Sequence, residues 1–191
     1  MSTLDNNIQK PVNEKIGVFC ASSNDLAPVY YDEAGRLGEW IGKSGRTLVY
    51  GGAKYGLMEA VAQGVKRAGS INIVGVVPKI LMERQMVSDC IGIRVPTEGL
   101  QDRKAWINKI SDIMIALPGS VGTLDEAFTV LAEASIGIAH KRVIFWNING
   151  FWNPLFSMID QMKTTGVVSK SLDTYMLRAD SLDDIITIIE Q

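Results

Sequence analysis

Two glycine-rich turns hold the residues best suited to chemistry. The first runs Gly51-Gly52-Ala53-Lys54-Tyr55-Gly56, ahead of a helical pattern beginning near Leu57. The second runs Pro118-Gly119-Ser120-Val121-Gly122-Thr123, ahead of one beginning near Leu124. Glycine admits positive φ and lets the backbone come close to a ligand. The unpaired N–H groups of the following helix then face that ligand, and the macrodipole favours an anion. Ser120 and Thr123 add hydroxyl donors, so a phosphate is the natural occupant. One such loop can equally be a plain tight turn; two, ending neighbouring strands, favour a ligand. The first turn is spaced G-G-x-x-x-G and no P-loop lysine follows either one. NAD and ATP are therefore disfavoured.

Two charged residues, Arg103 and Glu126, break the core pattern. Arg103 shares a helical stripe with Ile107 and Ile110 in the segment Asp102–Ile110, so it points inward. A cation early in a helix is also opposed by the macrodipole. Both features ask for an anionic partner; the alternative is a solvated arginine beside Lys104. Glu126 has two readings. Thr123-x-x-Glu126 has capping-box spacing, so the carboxylate either satisfies backbone N–H groups or takes part in catalysis. Asp125 reads as first-turn charge complementing the dipole. His140, the single histidine, is expected to meet helix-terminal carbonyls or water. It provides no Ser/His/Asp or Cys/His triad, and no metal-ligand cluster stands out. Trp106, Trp146 and Trp152 read as core or interface, without the basic interleaving of a base-stacking platform.

The elements that position these residues alternate. KIGVFC (15–20), RTLVYG (46–51), INIVGVVP (71–78), IGIRVP (91–96), DIMIALPG (112–119) and RVIFWN (142–147) read as buried strands. Amphipathic helices lie between them. Their stripes are Tyr30/Ala34/Leu37/Ile41, Leu57/Val61/Val65/Ala68, Leu124/Phe128/Leu131/Ser135 and Leu155/Ile159/Met162, the last after Pro154. Ser181 is expected to cap a final helix carrying Leu182, Ile185, Ile186 and Ile189. This order implies an α/β fold: one doubly wound, Rossmann-like domain with a mainly parallel sheet flanked by helices. Ligands bind beyond the carboxyl ends of such strands, so the turns after Cys20, Tyr50, Val77 and Leu117 are the candidate site. Residues 1–14 read as a disordered lead-in and 15–191 as the single domain.

Bulk properties narrow the partners. The chain has 191 residues, 47% hydrophobic and 21% charged, with a formal net charge of -2. The absence of a basic surplus argues against nucleic acid or an anionic membrane as partner. No apolar run is long enough to span a bilayer, and the first residues lack an apolar secretion segment. Cys20 and Cys90 are expected to be reduced, and the location cytoplasmic.

Pro118-Gly119-Ser120-Val121-Gly122-Thr123-Leu124-Asp125-Glu126 resembles the P-G-G-x-G-T-x-x-E signature of the Lonely-guy family, long called lysine decarboxylase-like. Arg103-Lys104, Gly51-Gly52…Gly56-Leu57-Met58, Phe19-Cys20…Ser22-Ser23, Pro78-Lys79…Leu81-Met82, Gly137-Ile138 and Asn149-Gly150-Phe151-Trp152-Asn153-Pro154-Leu155 match in the same order. The resemblance covers the chain from about Lys15 onward. It implies hydrolysis of the N-glycosidic bond of cytokinin riboside 5′-monophosphates to free base and ribose 5-phosphate, some members processing AMP-type nucleotides. It places catalysis on Arg103 and Glu126 and implies a homodimer. Substrate binding is expected at Gly51, Gly52, Gln85, Lys104, Gly119, Ser120, Val121, Gly122 and Thr123. No cofactor is expected: pyridoxal-phosphate chemistry needs a Schiff-base lysine with a pyridinium partner, and no such arrangement stands out. The chain departs from the family pattern at Ser120 (for glycine), Glu59 (for glycine), Gln85 (for glutamate), Leu100 (for methionine) and Ala132-Glu133 (for threonine-tryptophan). Ser120 adds a Cβ to the phosphate turn, and the departures bear on which base is accepted. The competing readings are an AMP or other nucleotide nucleosidase and a nucleotide-binding carrier without turnover.

Overall fold

The computed structural model describes residues 14–191. The expected lead-in therefore lies, except for Glu14, outside the described residues. The strands are β1 (Lys15–Phe19), β2 (Thr47–Tyr50), β3 (Ile73–Pro78), β4 (Ile93–Thr97), β5 (Ile113–Ala116), β6 (Val143–Trp146) and β7 (Met176–Ala179). The α-helices are α1 (Pro28–Lys43), α2 (Gly56–Arg67), α3 (Lys79–Glu83), α4 (Leu100–Ile110), α5 (Val121–Ser135), α6 (Asn153–Thr164) and α7 (Leu182–Glu190). The strands form one sheet in the order β4-β3-β2-β1-β5-β6-β7. Every strand pairing in it is parallel.

The continuous apolar runs explain this architecture. A parallel strand covered by helices on both faces buries every side chain. β3, β5 and β6 do so along their whole length. Alternate residues feed two cores. Val18, Leu48, Tyr50 and Ile115 pack with α1, α2 and α7, whereas Phe19, Val49, Met114 and Phe145 pack with α4, α5 and α6. On the first face α1 and α2 approach backbone to backbone. A Cβ at Gly38 would lie 2.0 Å from the Val61 carbonyl oxygen.

Three elements differ from the sequence expectation. β7 was not anticipated: its four residues include the exposed Arg178, so no apolar run marks it. β4 is an edge strand rather than a buried one, with Ile93 63% exposed. In α5 the buried residues are Thr123, Glu126, Ala127, Val130, Leu131 and Ala134, while Leu124 and Phe128 are half-buried and Ser135 is exposed. The small Ala127 and Ala134 turn towards the sheet, and the larger side chains flank them.

The chain winds outward in one direction from β1 through β2, β3 and β4, and in the other from β5 through β6 and β7. The reversal lies between β1 and β5, where a crevice opens in this class of sheet.

Candidate active site

Three loops meet above that crevice and are tied by their backbones. The Ala21 N–H donates to the Pro118 carbonyl at 3.1 Å, joining the loops after β1 and β5. The Leu57 N–H donates to the Ala21 carbonyl at 3.0 Å, joining the loops after β1 and β2. Gly56 makes this second junction possible. It has φ +57°, and a Cβ there would sit 2.6 Å from the Ser23 carbonyl oxygen. Its N–H donates to Asn24 Oδ1 at 2.8 Å.

Arg103 reaches into this junction from α4. A Cβ on Gly51 would lie 3.3 Å from Arg103 Nη1, so the guanidinium sits directly over the first glycine turn. Arg103 Nη2 donates to Glu126 Oε1 of α5. The inward stripe thus has the anionic partner it called for. The pair is enclosed, with side-chain exposures of 12% for Arg103 and 4% for Glu126. Arg103 Nε is buried and has no hydrogen-bond partner among the described residues. Burial pushes the Glu126 carboxyl above its usual range; Arg103 opposes that rise through its charge and its hydrogen bond. The buried Cys20 thiol is raised, first by desolvation and next by the charge of Glu126, which places it within electrostatic reach of the pair.

The second glycine turn differs from its local reading. α5 begins at Val121, three residues before Leu124, and its N-cap is Ser120. Thr123 is therefore the third helical residue, and no side-chain cap bond forms. The capping-box reading of Thr123 and Glu126 is thus replaced by the ion pair with Arg103. Asp125 lies beyond the first turn and binds Lys104, instead of complementing the dipole. The Ser120 substitution is accommodated, because φ -98° and ψ -160° are ordinary extended values for any residue. Gly119 is needed where it stands, since a Cβ there would meet Thr123 Oγ1 at 2.0 Å. Ser120, Val121 and Gly122 are exposed, and the first N–H groups of α5 have no intrahelical acceptor. This open helix start adjoins the Arg103–Glu126 pair.

The remaining expected residues divide. Lys104 is buried, and its Nζ donates to both Asp125 carboxylate oxygens at 2.8 Å. Gly52 turns the chain after β2 with φ +75°. Gln85 is exposed, adopts φ 55° just beyond α3, and forms no side-chain hydrogen bond to the other expected residues within the described chain. His140 faces the Tyr175 hydroxyl at 3.4 Å rather than helix carbonyls. Trp146 and Trp152 belong to the core. Sequence reasoning missed Asn24, whose contact spans 32 residues and leaves no local signal. A polar groove of about 610 Å³ between α1 and α2 contains neither Arg103 nor Glu126.

A buried carboxylate held by a guanidinium, beside an open helix N-terminus, is an arrangement for binding an anion and stabilising positive charge next to it. Known proteins share the chain's pattern. The family described as "Possible lysine decarboxylase" matches residues 58–189. A probable cytokinin riboside 5′-monophosphate phosphoribohydrolase of Oryza sativa subsp. japonica is 36% identical over 177 residues, 93% of this chain and 72% of the relative. A cytokinin riboside 5′-monophosphate phosphoribohydrolase of Arabidopsis thaliana is 35% identical over 184 residues, 96% of this chain and 85% of the relative. The chain belongs to the Lonely-guy family. Its fold is also that of the molybdenum cofactor carrier protein of Chlamydomonas reinhardtii, with a TM-score of 0.72, 23% identity, and coverage of 94% of this chain and 97% of that one. The molybdenum cofactor binding protein of Rippkaea orientalis matches with a TM-score of 0.70 and 24% identity over 93% of this chain and 96% of that one. At these identities the last two speak to fold alone. Within this Lonely-guy chain, the signature residues span the loop after β5 and the start of α5, and the Arg-Lys pair lies on α4 and bonds to Glu126 and Asp125 across the gap.

Proposed function

We propose that this protein hydrolyses the N-glycosidic bond of a nucleoside 5′-monophosphate, releasing the free base and ribose 5-phosphate. The observation that carries the reading is the enclosed Arg103–Glu126 pair beside the open start of α5. The phosphoribohydrolase activity for which the relatives at 36% and 35% identity are named supports it.

The 5′-phosphate binds the N–H groups of Val121, Gly122 and Thr123, with the Ser120 hydroxyl and the Gly51-Gly52 turn completing the cradle. The sugar then lies over Glu126. Cleavage of the C1′–N bond develops positive charge on the ribose ring, as in glycoside hydrolysis. The ionised Glu126 stabilises that charge and orients a water whose oxygen bonds to C1′. The water proton passes to Glu126, and the base leaves with the bonding pair and takes up a proton. Arg103 favours the ionised form of Glu126 through its charge and its hydrogen bond, against the burial that disfavours it. Lys104 has its ammonium committed to Asp125, which does not suit a Schiff-base role.

AMP and isopentenyladenosine monophosphate, incubated separately with pure protein, test the reading through release of free base. Glu126→Gln and Arg103→Ala are each expected to lower turnover by about 10²-fold or more while keeping the fold. Full activity in Glu126→Gln would remove Glu126 from catalysis. Tight AMP binding without base release by wild-type protein would reassign the chain as a carrier. The ratio of the two substrates reports how Gln85, Leu100, Glu59 and Ala132-Glu133 shape the base site.

A further inference from the structure

We infer that Lys104 and Asp125 are a positioning pair: a second ionic bridge between α4 and α5 that sets how Arg103 meets Glu126. The inference rests on the catalytic reading of Arg103 and Glu126, and it assigns Lys104 a role through Asp125 rather than through the substrate.

The two helices lie on the same sheet face, yet they do not pack backbone against backbone as α1 and α2 do. Long polar side chains bridge the space between them. Arg103 meets Glu126, Lys104 meets Asp125, and Asn108 Nδ2 donates to Glu133 Oε2 at 2.5 Å. Lys141 Nζ caps the end of this ladder by donating to the Asn108 carbonyl. Consecutive residues on a helix project about 100° apart. Two bridges made by consecutive residues on both helices therefore constrain the rotation of each helix at the level of Glu126, where the Asn108–Glu133 bond, further along both helices, holds less closely.

Charge compensation gives Asp125 a second duty. Lys104 retains only 8% exposure, and a buried ammonium is costly without an anionic partner. Asp125 supplies both of its oxygens at 2.8 Å. Glu126 is the neighbouring carboxylate within electrostatic reach of Lys104. Without Asp125, the ammonium competes with Arg103 for Glu126, and the catalytic carboxylate is drawn from its place. Asp125 keeps Lys104 occupied, so that Glu126 faces Arg103 alone.

The test compares Asp125→Asn and Asp125→Glu with wild type. Asp125 is half exposed, so neither change opens the core. Asp125→Asn is expected to lower kcat by about tenfold to 10²-fold, the scale of small misplacements, with KM for the nucleotide within about twofold. Asp125→Glu keeps the carboxylate and is expected to recover most of the loss. A readout independent of turnover is the solvent exchange of the Arg103 Nε–H, followed by nitrogen-15 NMR; Asp125→Asn is expected to speed it. Wild-type kcat and unchanged Arg103 exchange in Asp125→Asn would overturn the inference. So would a rise in KM at constant kcat, which marks substrate contact instead. If wild type releases no base but Arg103 exchange still responds to Asp125, the proposed activity fails while the bridge stands.

Discussion

A carboxylate with 4% exposure has traded most of its hydration for one guanidinium, and that exchange governs the pH behaviour of the site. Burial lifts the Glu126 carboxyl above the ordinary value of 4.5, and Arg103 limits the rise. A raised folded-state value contributes stability below the unfolded one, and this is lost as pH rises through the folded one. The ionised form needed for catalysis is therefore the form that burial disfavours. The acid limb of kcat/KM is expected above 4.5, and a profile across acidic to mildly alkaline pH checks it. A limb at or below that value would separate the limb from Glu126. At this same scale, identical spacings lead to different outcomes. Ser181-x-x-Asp184 forms the capping box, with the Asp184 N–H donating to Ser181 Oγ at 3.1 Å and the Ser181 N–H to Asp184 Oδ2 at 3.0 Å. Thr123-x-x-Glu126 does not, because its helix already starts at Val121 and Arg103 waits across the gap.

Element packing is asymmetric across the sheet. On one side, glycines let α1 and α2 touch through their backbones; on the other, α4 and α5 meet through charged side chains. Gly38→Ala inserts a Cβ 2.0 Å from a carbonyl oxygen, and only helix displacement relieves it. We expect a loss of about 1–3 kcal/mol in urea unfolding, in line with overpacking. A midpoint equal to wild type would show that α1 and α2 part easily. The helix stripes were largely legible in sequence because period and burial coincide. α5 was less so, since it lies between neighbours that cover a wide arc of it, including the polar Thr123 and Glu126.

At the scale of the molecule, Cys20 and Cys90 are free, buried and part of the same core. Burial raises both thiols above their ordinary value, so the reactive thiolate is scarce in the native state. We propose that residues 15–191 unfold as one unit. Both thiols are then expected to resist alkylation in native protein at mildly alkaline pH and to become reactive together in one denaturant transition. Labelling of Cys90 well before Cys20 would reveal a separable part. No helix of the described chain is long and apolar enough to cross a membrane.

The sequence by itself determined the α/β class, six of the seven strands of the described residues and the glycine turns that follow β2 and β5. Each of these is local: an apolar run, a period, or a residue type that only certain backbones favour. Only the tertiary structure decided that Arg103 and Glu126 are partners, 23 residues apart, and that Asp125 belongs to Lys104. Those pairings depend on two helices being laid on the same sheet face by separate crossovers. Where α5 begins follows from how the loop after β5 leaves the sheet. β7 stayed hidden because an edge strand needs few apolar residues and gains its identity from pairing with β6.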